Sequence, residues 1–336
     1  MIHNKKIVVV GATGRVGREM LKILKEYNVP RENIMAVASS KSLGVMLEYG
    51  EDEYIEVESL ENFDFKRADI GLFSAGSEIS KIYAIKASDQ GCVVIDNTSY
   101  FRMFDNIPLI VPEVNFEDLK KYDNPKIISN PNCSTIQMVV ALKPLHDAFN
   151  LKEINVSTYQ ATSGAGQKGV DELMSQTKNI IEGNNNISIN HFKKQIAFNV
   201  IPQIDSLTDS RFTKEELKMM NETRKIMNLE NLDITSTCVR VPVIEGHSES
   251  IFARFEKNID LKKVFDILNN TPGIKVVDNI ENYEYSTPIE SNSRNEVFIS
   301  RIRKYDRDDK VLLFWCVSNN VRKGAALNAI QIADKL

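Results

Sequence analysis

The chain has 336 residues, of which 42% are hydrophobic and 26% are charged, and its formal net charge is −4. This length allows two domains, and this composition is typical of a soluble globular protein rather than a disordered one. Because the net charge is negative and the basic residues are scattered, a nucleic-acid-binding function is not indicated.

The four cysteines show neither the spacing of a zinc site nor that of a disulfide framework. Cys92, Cys238 and Cys316 lie in apolar segments, where a thiol usually behaves as a small buried hydrophobic group. No apolar stretch reaches the roughly 18 residues that a membrane-spanning helix needs, and the N-terminus leads directly into a strand without a signal peptide. We therefore expect a cytoplasmic protein with reduced thiols and no membrane contact.

The first part of the chain alternates short apolar segments with helical ones. Strands are predicted at 5–10, 34–38, 69–74, 93–96, 109–111 and 126–129, and helices after residue 17 and at 78–90. This alternation predicts an α/β domain with a Rossmann-type doubly wound parallel sheet.

The pattern changes after residue 132. A helix is predicted at 134–149, a loop at 184–186, and strands at 154–161, 234–241, 250–255, 297–303 and 311–318. Alternating polarity in several of these strands predicts an α+β domain with a mostly antiparallel sheet. The helical segment 321–336 is expected to return to the first domain. The predicted division is 1–132 with 319–336 for the first domain, and 133–318 for the second.

A glycine motif lies between the first strand and the first helix, with Gly11, Gly14 and Gly17 at intervals of three. Glycines let the backbone turn tightly and approach a pyrophosphate, while the helix N-terminus offers N–H groups to it. The GxxGxxG spacing alone is a weak signal, and a simple glycine-rich turn is the alternative. Its position between a strand and a helix favours a dinucleotide site.

The second strand ends in Ser39, Ser40 and Lys41 without the carboxylate that commonly binds the ribose hydroxyls of NAD. Hydroxyl groups and a cation favour a 2′-phosphate instead, and hence NADP. The alternative is that Lys41 is an ordinary surface lysine.

Cys133 follows a buried strand and immediately precedes a predicted helix. The helix dipole stabilises a thiolate at that place, and a thiolate is both a good nucleophile and a good leaving group from a thioester. The alternative is that Ser134 or Thr135 simply caps the helix.

Of the four histidines, His247 has the most favourable context for acid/base chemistry, because it follows Gly246 at a predicted turn between two strands. Arg240 lies in an apolar strand just before it and needs an anionic partner. A substrate carboxylate would provide that partner, and a structural salt bridge is the alternative.

The chain resembles the aspartate-β-semialdehyde dehydrogenase family over essentially its full length. Ten segments carry the resemblance, in this order: GATGRVG (11–17), SAGSEIS (74–80), DNTSYFR (96–102), VPEVN (111–115), NPNCSTIQ (130–137), TYQATSGAG (158–166), EELK (215–218), CVRVP (238–242), GHSES (246–250) and SNNVRKGAALN (318–328).

The resemblance implies roles for individual residues. Cys133 corresponds to the nucleophile, His247 to the acid/base group and Gln160 to the residue that orients the acyl intermediate. Arg240 and Glu215 are implied to bind the substrate carboxylate and ammonium, and Arg102, Lys218 and Asn132 to bind phosphate. The implied NADP contacts are Gly11, Thr13, Gly14, Arg15, Val16, Ser39, Ser40, Lys41, Ala75, Gly76, Ser163, Gly164 and Asn320.

The implied reaction is the reversible, NADP-dependent conversion of L-4-aspartyl phosphate to L-aspartate 4-semialdehyde and inorganic phosphate through a Cys133 thioester. It lies at the branch to lysine (through diaminopimelate), threonine and methionine. The resemblance also implies that residues 1–132 and 319–336 form the NADP-binding domain and that 133–318 form a catalytic and dimerisation domain, through which members form homodimers, sometimes tetramers. The related N-acetyl-γ-glutamyl-phosphate reductase and glyceraldehyde-phosphate dehydrogenase families carry different cysteine contexts. A non-catalytic dinucleotide sensor would not need the cysteine, the histidine and both arginines.

Overall fold

The computed structural model describes residues 2–184 and 187–336, so the predicted loop at 184–186 lies outside the described residues except for Asn184. The contacts divide the chain into two compact units. The first contains the residues through Asn132 together with Ala325–Leu336, and the second is Cys133–Gly324. Residues 319–324, which the sequence assigned to the first domain, thus group with the second unit.

Strands and helices alternate along the chain. The strands are β1 (Ile7–Val10), β2 (Ile34–Ala38), β3 (Met46–Glu48), β4 (Tyr54–Ser59), β5 (Ile70–Phe73), β6 (Val93–Asp96), β7 (Ile127–Ser129), β8 (Leu151–Gln160), β9 (Asp233–Arg240), β10 (His247–Phe255), β11 (Ile274–Val276), β12 (Val297–Tyr305) and β13 (Asp308–Ser318). The helices are α1 (Arg15–Glu26), α2 (Ser77–Asp89), α3 (Cys133–Phe149), α4 (Gln167–Ile181), α5 (Lys214–Met227), α6 (Leu261–Asn269) and α7 (Leu327–Lys335), the last preceded by a π-helical turn at Arg322–Ala326. None of the described helices has the length and apolar character needed to cross a membrane.

The first unit is built on a seven-stranded sheet of order β3-β4-β2-β1-β5-β6-β7. All its neighbouring strands are parallel except β3 and β4, which confirms the predicted doubly wound sheet. Along β1, Ile7 and Val9 pack into one apolar cluster and Val8 and Val10 into another. Successive side chains of a strand point to opposite faces, so both faces of this sheet are covered.

The predicted strand at 109–111 is wrong. Only Leu109 makes an isolated bridge, to Ser129, although residues 109–111 are fully or almost fully buried. A short apolar segment can be buried without joining a sheet, and hydrophobicity alone does not distinguish the two cases. Strands β3 and β4 were not predicted, because their segments are rich in Glu and only a third of their side chains are buried.

The second unit contains a six-stranded sheet of order β11-β12-β13-β10-β8-β9. Strand pairs β10–β13, β10–β8 and β12–β13 are antiparallel, whereas β8–β9 and β11–β12 are parallel. The sheet is therefore mixed, with antiparallel pairing in its centre. Helix α3, which is almost entirely buried, packs against β8, β10 and β13.

Candidate active site

The glycine motif forms a tight cradle between β1 and α1. Gly11 has a φ of +86°, and a Cβ built on it would lie 2.8 Å from the carbonyl oxygen of Ser74. A Cβ on Gly17 would lie 2.3 Å from the carbonyl oxygen of Gly11, so neither position accepts a side chain. Gly14 precedes α1 and provides no side-chain cap. These features fit a pyrophosphate at the helix N-terminus.

The other cofactor positions predicted in the first unit cluster at the same sheet edge. Thr13 belongs to the turn after β1, and Arg15 and Val16 begin α1. Ala75 and Gly76 connect β5 to α2, and Gly76 has a φ of +96°. Because the carboxyl ends of parallel strands meet at one edge, this placement agrees with a dinucleotide site.

Ser39, Ser40 and Lys41 are exposed in the turn that follows β2. The structure places a carboxylate beside this turn that the sequence reading missed. Glu61 follows β4, the neighbour of β2, and its pKa is lowered by a hydrogen bond from Ser59 and also by backbone N–H groups, including that of Ser40. The charge around the turn is therefore mixed rather than purely positive.

The loop that carries Arg102 is organised by buried Asp96 at the end of β6. The Asp96 carboxylate accepts hydrogen bonds from Ser80 Oγ at 2.8 Å, from Thr98 N–H at 3.0 Å and from Thr98 Oγ1 at 2.7 Å. Arg102 is 7% exposed, and its Nη2 donates to the carbonyl oxygen of Asn97 at 2.8 Å. Asn132, the other phosphate ligand predicted in this unit, is also buried. It is the residue at which the first segment of this unit ends.

In the second unit, a row of buried polar side chains crosses the strand ends of the sheet. Arg240 pairs in register with Gln160, and His247 with Ser318. Each of the four is at most 6% exposed. The sheet register therefore brings together three predicted site residues, Gln160, Arg240 and His247, of which the first and last are 87 positions apart in sequence.

Cys133 is the first residue of α3 and is partly exposed, whereas Cys92, Cys238 and Cys316 are buried. Burial raises the pKa of the Cys92 thiol to about 12 and that of the Cys238 and Cys316 thiols further from the physiological range. Thiols of that kind are unreactive, since the thiolate is the nucleophile. A Cβ on Gly324 would lie 2.8 Å from the Cβ of Cys133, so the π-helical turn packs closely on Cys133.

His247 is fully buried, and its Nδ1 accepts a hydrogen bond of 3.0 Å from the backbone N–H of Ala161. Burial and the charge of Arg240 hold the pKa of His247 well below its usual range. The neutral ring therefore carries its proton on Nε2, which makes no hydrogen bond to any described residue. Nε2 is thus available as a donor to an oxygen atom of a substrate.

Arg240 is 6% exposed, and its Nη1 donates to the carbonyl oxygen of Ala161 at 2.6 Å. Burial lowers the pKa of Arg240, while the negative charges of Glu215 and the Cys133 thiolate oppose that effect. A Cβ on Gly164 would lie 2.9 Å from Nη1 of Arg240 and 3.1 Å from Nε2 of His247. Gly164 thus borders the space between these two side chains.

Glu215 links the remaining predicted residues. Its Oε1 accepts a hydrogen bond of 3.3 Å from Gln160 Nε2, and its Oε2 lies 3.2 Å from Nζ of Lys218. Lys218 also contacts Asp205 at 2.8 Å, so two carboxylates hold this predicted phosphate ligand. Asp205 was not recognised from the sequence, since it lies in an irregular segment without a motif.

The structure therefore places His247 beside Arg240, and Arg240 in turn close to Cys133, Gln160 and Glu215. Lys218 joins this cluster through Glu215. Arg102 and Asn132 belong to the other unit. The sequence reading missed Ala161, whose N–H and carbonyl groups orient His247 and Arg240. Because a residue of any type can supply these backbone groups, the sequence does not reveal such a role.

Ser163 and Asn320, which were predicted to contact the cofactor, form a hydrogen bond of 3.1 Å with each other. Asn320 Oδ1 also accepts a hydrogen bond from the backbone N–H of Gly246.

Comparison with known proteins identifies the family. Residues 6–122 match the model of the semialdehyde dehydrogenase NAD binding domain, and residues 142–323 match that of the semialdehyde dehydrogenase dimerisation domain. The aspartate-semialdehyde dehydrogenase of Campylobacter jejuni is 48% identical over 100% of this chain and 98% of its own, and that of Aquifex aeolicus is 49% identical over 98% and 97%. The crystal structure of aspartate semialdehyde dehydrogenase II from Vibrio cholerae, complexed with ASA, superposes with a TM-score of 0.94 at 43% identity, covering 98% of this chain and 96% of that one. The chain therefore belongs to the aspartate-semialdehyde dehydrogenase family.

Proposed function

We propose that this protein catalyses the reversible, NADP-dependent reductive dephosphorylation of L-4-aspartyl phosphate to L-aspartate 4-semialdehyde and inorganic phosphate. The reaction proceeds through a thioester on Cys133. In this role the enzyme supplies the branch that leads to lysine, through diaminopimelate, and to threonine and methionine.

The cluster around His247 is the observation that carries this proposal. A partly exposed cysteine at a helix N-terminus shares its unit with a neutral histidine, a buried arginine and a buried glutamate. The arginine suits a substrate carboxylate, and the glutamate suits an ammonium group. An N-acetylated substrate has no ammonium, so Glu215 favours aspartyl phosphate over the substrate of the N-acetyl-γ-glutamyl-phosphate reductases.

In the biosynthetic direction, the Cys133 thiolate attacks the acyl carbon of aspartyl phosphate, and the carbon–oxygen bond to phosphate breaks. Arg240 binds the substrate carboxylate, Glu215 binds the ammonium, and Gln160 orients the acyl group. Arg102, Lys218 and Asn132 bind the departing phosphate, whose negative charge requires cationic and hydrogen-bonding partners.

NADPH, when bound, supplies the hydride that reduces the thioester carbonyl. His247 faces the resulting oxygen with Nε2–H and stabilises the negative charge that develops there. This thiohemiacetal oxyanion then collapses: the carbon–oxygen double bond of the aldehyde forms, the carbon–sulfur bond breaks, and Cys133 leaves as the thiolate. In the reverse direction, phosphate attacks the thioester and regenerates the acyl phosphate.

The glycine cradle at Gly11 and the α1 N-terminus support the dinucleotide part of the proposal. Ser39, Ser40 and Lys41 support NADP, because hydroxyl and ammonium groups bind a 2′-phosphate. The Glu61 carboxylate beside the same turn opposes that phosphate. The preference for NADP over NAD therefore depends on how far the attraction of Lys41 for the 2′-phosphate exceeds the repulsion by Glu61, and the KM values for the two cofactors measure it.

We also propose a homodimer formed through the second unit. Four aromatic side chains lie on the face of the sheet opposite α3, namely Tyr159, Phe252, Tyr305 and Trp315. Tyr159 and Tyr305 are each 37% exposed, and aromatic side chains are enriched at protein–protein interfaces. Sedimentation of wild type and Phe252→Arg tests this: a shift from dimer to monomer is expected, and a monomeric wild type would contradict it.

The decisive assay measures NADPH formation from L-aspartate semialdehyde and phosphate, in wild type and in Cys133→Ala. We expect turnover in wild type and none in the variant. Absence of turnover in the wild type would overturn the assignment, and unimpaired turnover in the variant would overturn the thioester mechanism. N-acetylglutamate semialdehyde serves as the competing substrate and should react poorly.

A further inference from the structure

Glu249 is a buried carboxyl group that the proposed reaction does not use. It lies in β10, two residues after His247, so both side chains point to the same face of the sheet. In register it pairs with Thr158 on one side and with Cys316 on the other. Glu249 is 0% exposed, and neither of its carboxyl oxygens makes a hydrogen bond of normal geometry within the described residues.

Gln137 approaches this carboxyl group from the helix above it. It lies in α3 four residues after Cys133, and therefore on the same side of the helix. Its Oε1 accepts a hydrogen bond of 2.7 Å from Ser318 Oγ, and its Nε2 is buried with no acceptor of normal geometry among the described residues. Cys316, the register partner of Glu249 on β13, donates from Sγ to the backbone carbonyl oxygen of Gln137 at 3.8 Å. Gln137 therefore lies over the strand pair that carries Glu249, and its amide is complementary to the carboxyl group.

The surroundings of this carboxyl group favour its neutral form, because it is fully buried and no described residue donates a hydrogen bond of normal geometry to it. Burial raises the pKa of Glu249 well above its usual range, and the Gln137 amide only partly opposes that effect. A neutral carboxylic acid offers one O–H donor and one carbonyl acceptor. It can therefore pair with a primary amide without placing an uncompensated charge in the core.

These contacts join two elements that the proposed chemistry needs in a defined relation. Helix α3 carries Cys133 at its first residue, while β10 carries His247 at its first residue. Gln137 connects α3 to β13 through Ser318 and lies beside Glu249 in β10. We propose that Gln137 and Glu249 are positioning residues, which lock the helix bearing Cys133 to the strand bearing His247. This inference rests on the proposed function.

The test compares Gln137→Leu, Glu249→Leu and the conservative Glu249→Gln with wild type. Ile299→Ala is the matched control, because Ile299 is fully buried in β12 and pairs with Cys316 in the same row as Glu249. For each variant, kcat and KM for aspartate semialdehyde, the melting temperature, and the pH profile of Cys133 alkylation by iodoacetamide are measured.

We expect the two leucine variants to lower kcat about 10- to 100-fold with KM almost unchanged, since a small displacement of a reacting group has an effect of this order. Glu249→Gln, which keeps the shape and neutrality of the group, should retain activity within about threefold. The leucine variants should also shift the alkylation profile. Ile299→Ala should lower only the melting temperature.

The proposal is overturned if Ile299→Ala lowers kcat as strongly as the leucine variants at an equal loss of melting temperature. It is also overturned if Gln137→Leu leaves both kcat and the alkylation profile unchanged. If the wild type itself does not turn over, the proposed function fails, whereas the alkylation profiles of the same proteins still decide whether Gln137 and Glu249 position Cys133.

Discussion

The backbone N–H of Ala161 donates a 3.0 Å hydrogen bond to Nδ1 of His247. This bond determines which ring nitrogen carries the proton, because an acceptor nitrogen cannot also be protonated. His247 therefore presents Nε2–H to the active site. A neutral histidine in this state acts as a hydrogen-bond donor to a developing oxyanion rather than as a cationic acid.

We expect His247 to stay neutral at pH values where exposed histidines titrate. Burial and Arg240 lower its pKa, so the ring stays unprotonated through the usual histidine range near 6.5 and gains a proton only at lower pH. Histidine ¹⁵N NMR between pH 5 and 8 measures this directly. With four histidines in the chain, His247→Asn assigns the signal. A His247 signal that titrates near 6.5 would contradict the expectation.

Iodoacetamide should modify Cys133 before the other three cysteines. Cys133 is partly exposed at a helix N-terminus, whereas burial protects the others and raises their pKa values. Mass spectrometry should show one equivalent incorporated as activity disappears, and Cys133→Ala should resist labelling. Faster labelling of Cys92 in the native protein would refute this.

Gly164→Ala should reduce kcat/KM by roughly 100-fold, because the new methyl group must displace Arg240 or His247. Its effect on the melting temperature should be small, since Gly164 lies at an exposed position. Lys168→Ala, exposed in the neighbouring first turn of α4, is the control and should retain normal activity. Steady-state kinetics on both variants decide the matter, and an unchanged kcat/KM in Gly164→Ala would disprove the prediction.

Lys41→Ala should raise KM for NADP by roughly 10-fold and leave KM for NAD almost unchanged, because one charge-assisted contact to the 2′-phosphate is lost. Glu61→Gln should act in the opposite direction and lower KM for NADP, since it removes a negative charge beside the turn. Initial rates with both cofactors check these effects. Equal changes in KM for NADP and NAD would show that Lys41 does not bind the 2′-phosphate.

Glu249→Gln should become more stable relative to wild type as the pH rises. Because the pKa of Glu249 is raised in the folded state, the unfolded chain loses this proton first as the pH rises, near pH 4.3. The contribution of Glu249 to the free energy of unfolding is therefore complete below that pH and declines above it. The difference in unfolding free energy should grow by at most about 1.4 kcal/mol per pH unit. Urea unfolding at pH 4.5, 6 and 8 measures it, and a constant difference would show that Glu249 is ionised when folded.

Local patterns were sufficient where a signal lies within a few neighbouring residues. The apolar strand β1, the glycines after it and the start of α1 follow one another directly, and so do β7, Cys133 and α3. Helix α5 had such a signal that was not used, a capping box formed by Thr213 and Glu216. Helix α4 has no side-chain cap and was not predicted.

The sequence by itself determined the parallel sheet, the glycine cradle, the cysteine at a helix start and the family, because each depends on residues adjacent in the chain. Only the tertiary structure decided that Ala161 orients His247, that Glu61 lies beside Ser40, and that Glu249 faces Gln137. These relationships depend on strand register and on the packing of α3 against the sheet. Both arise from contacts between distant segments, and burial then sets the protonation of His247 and Glu249.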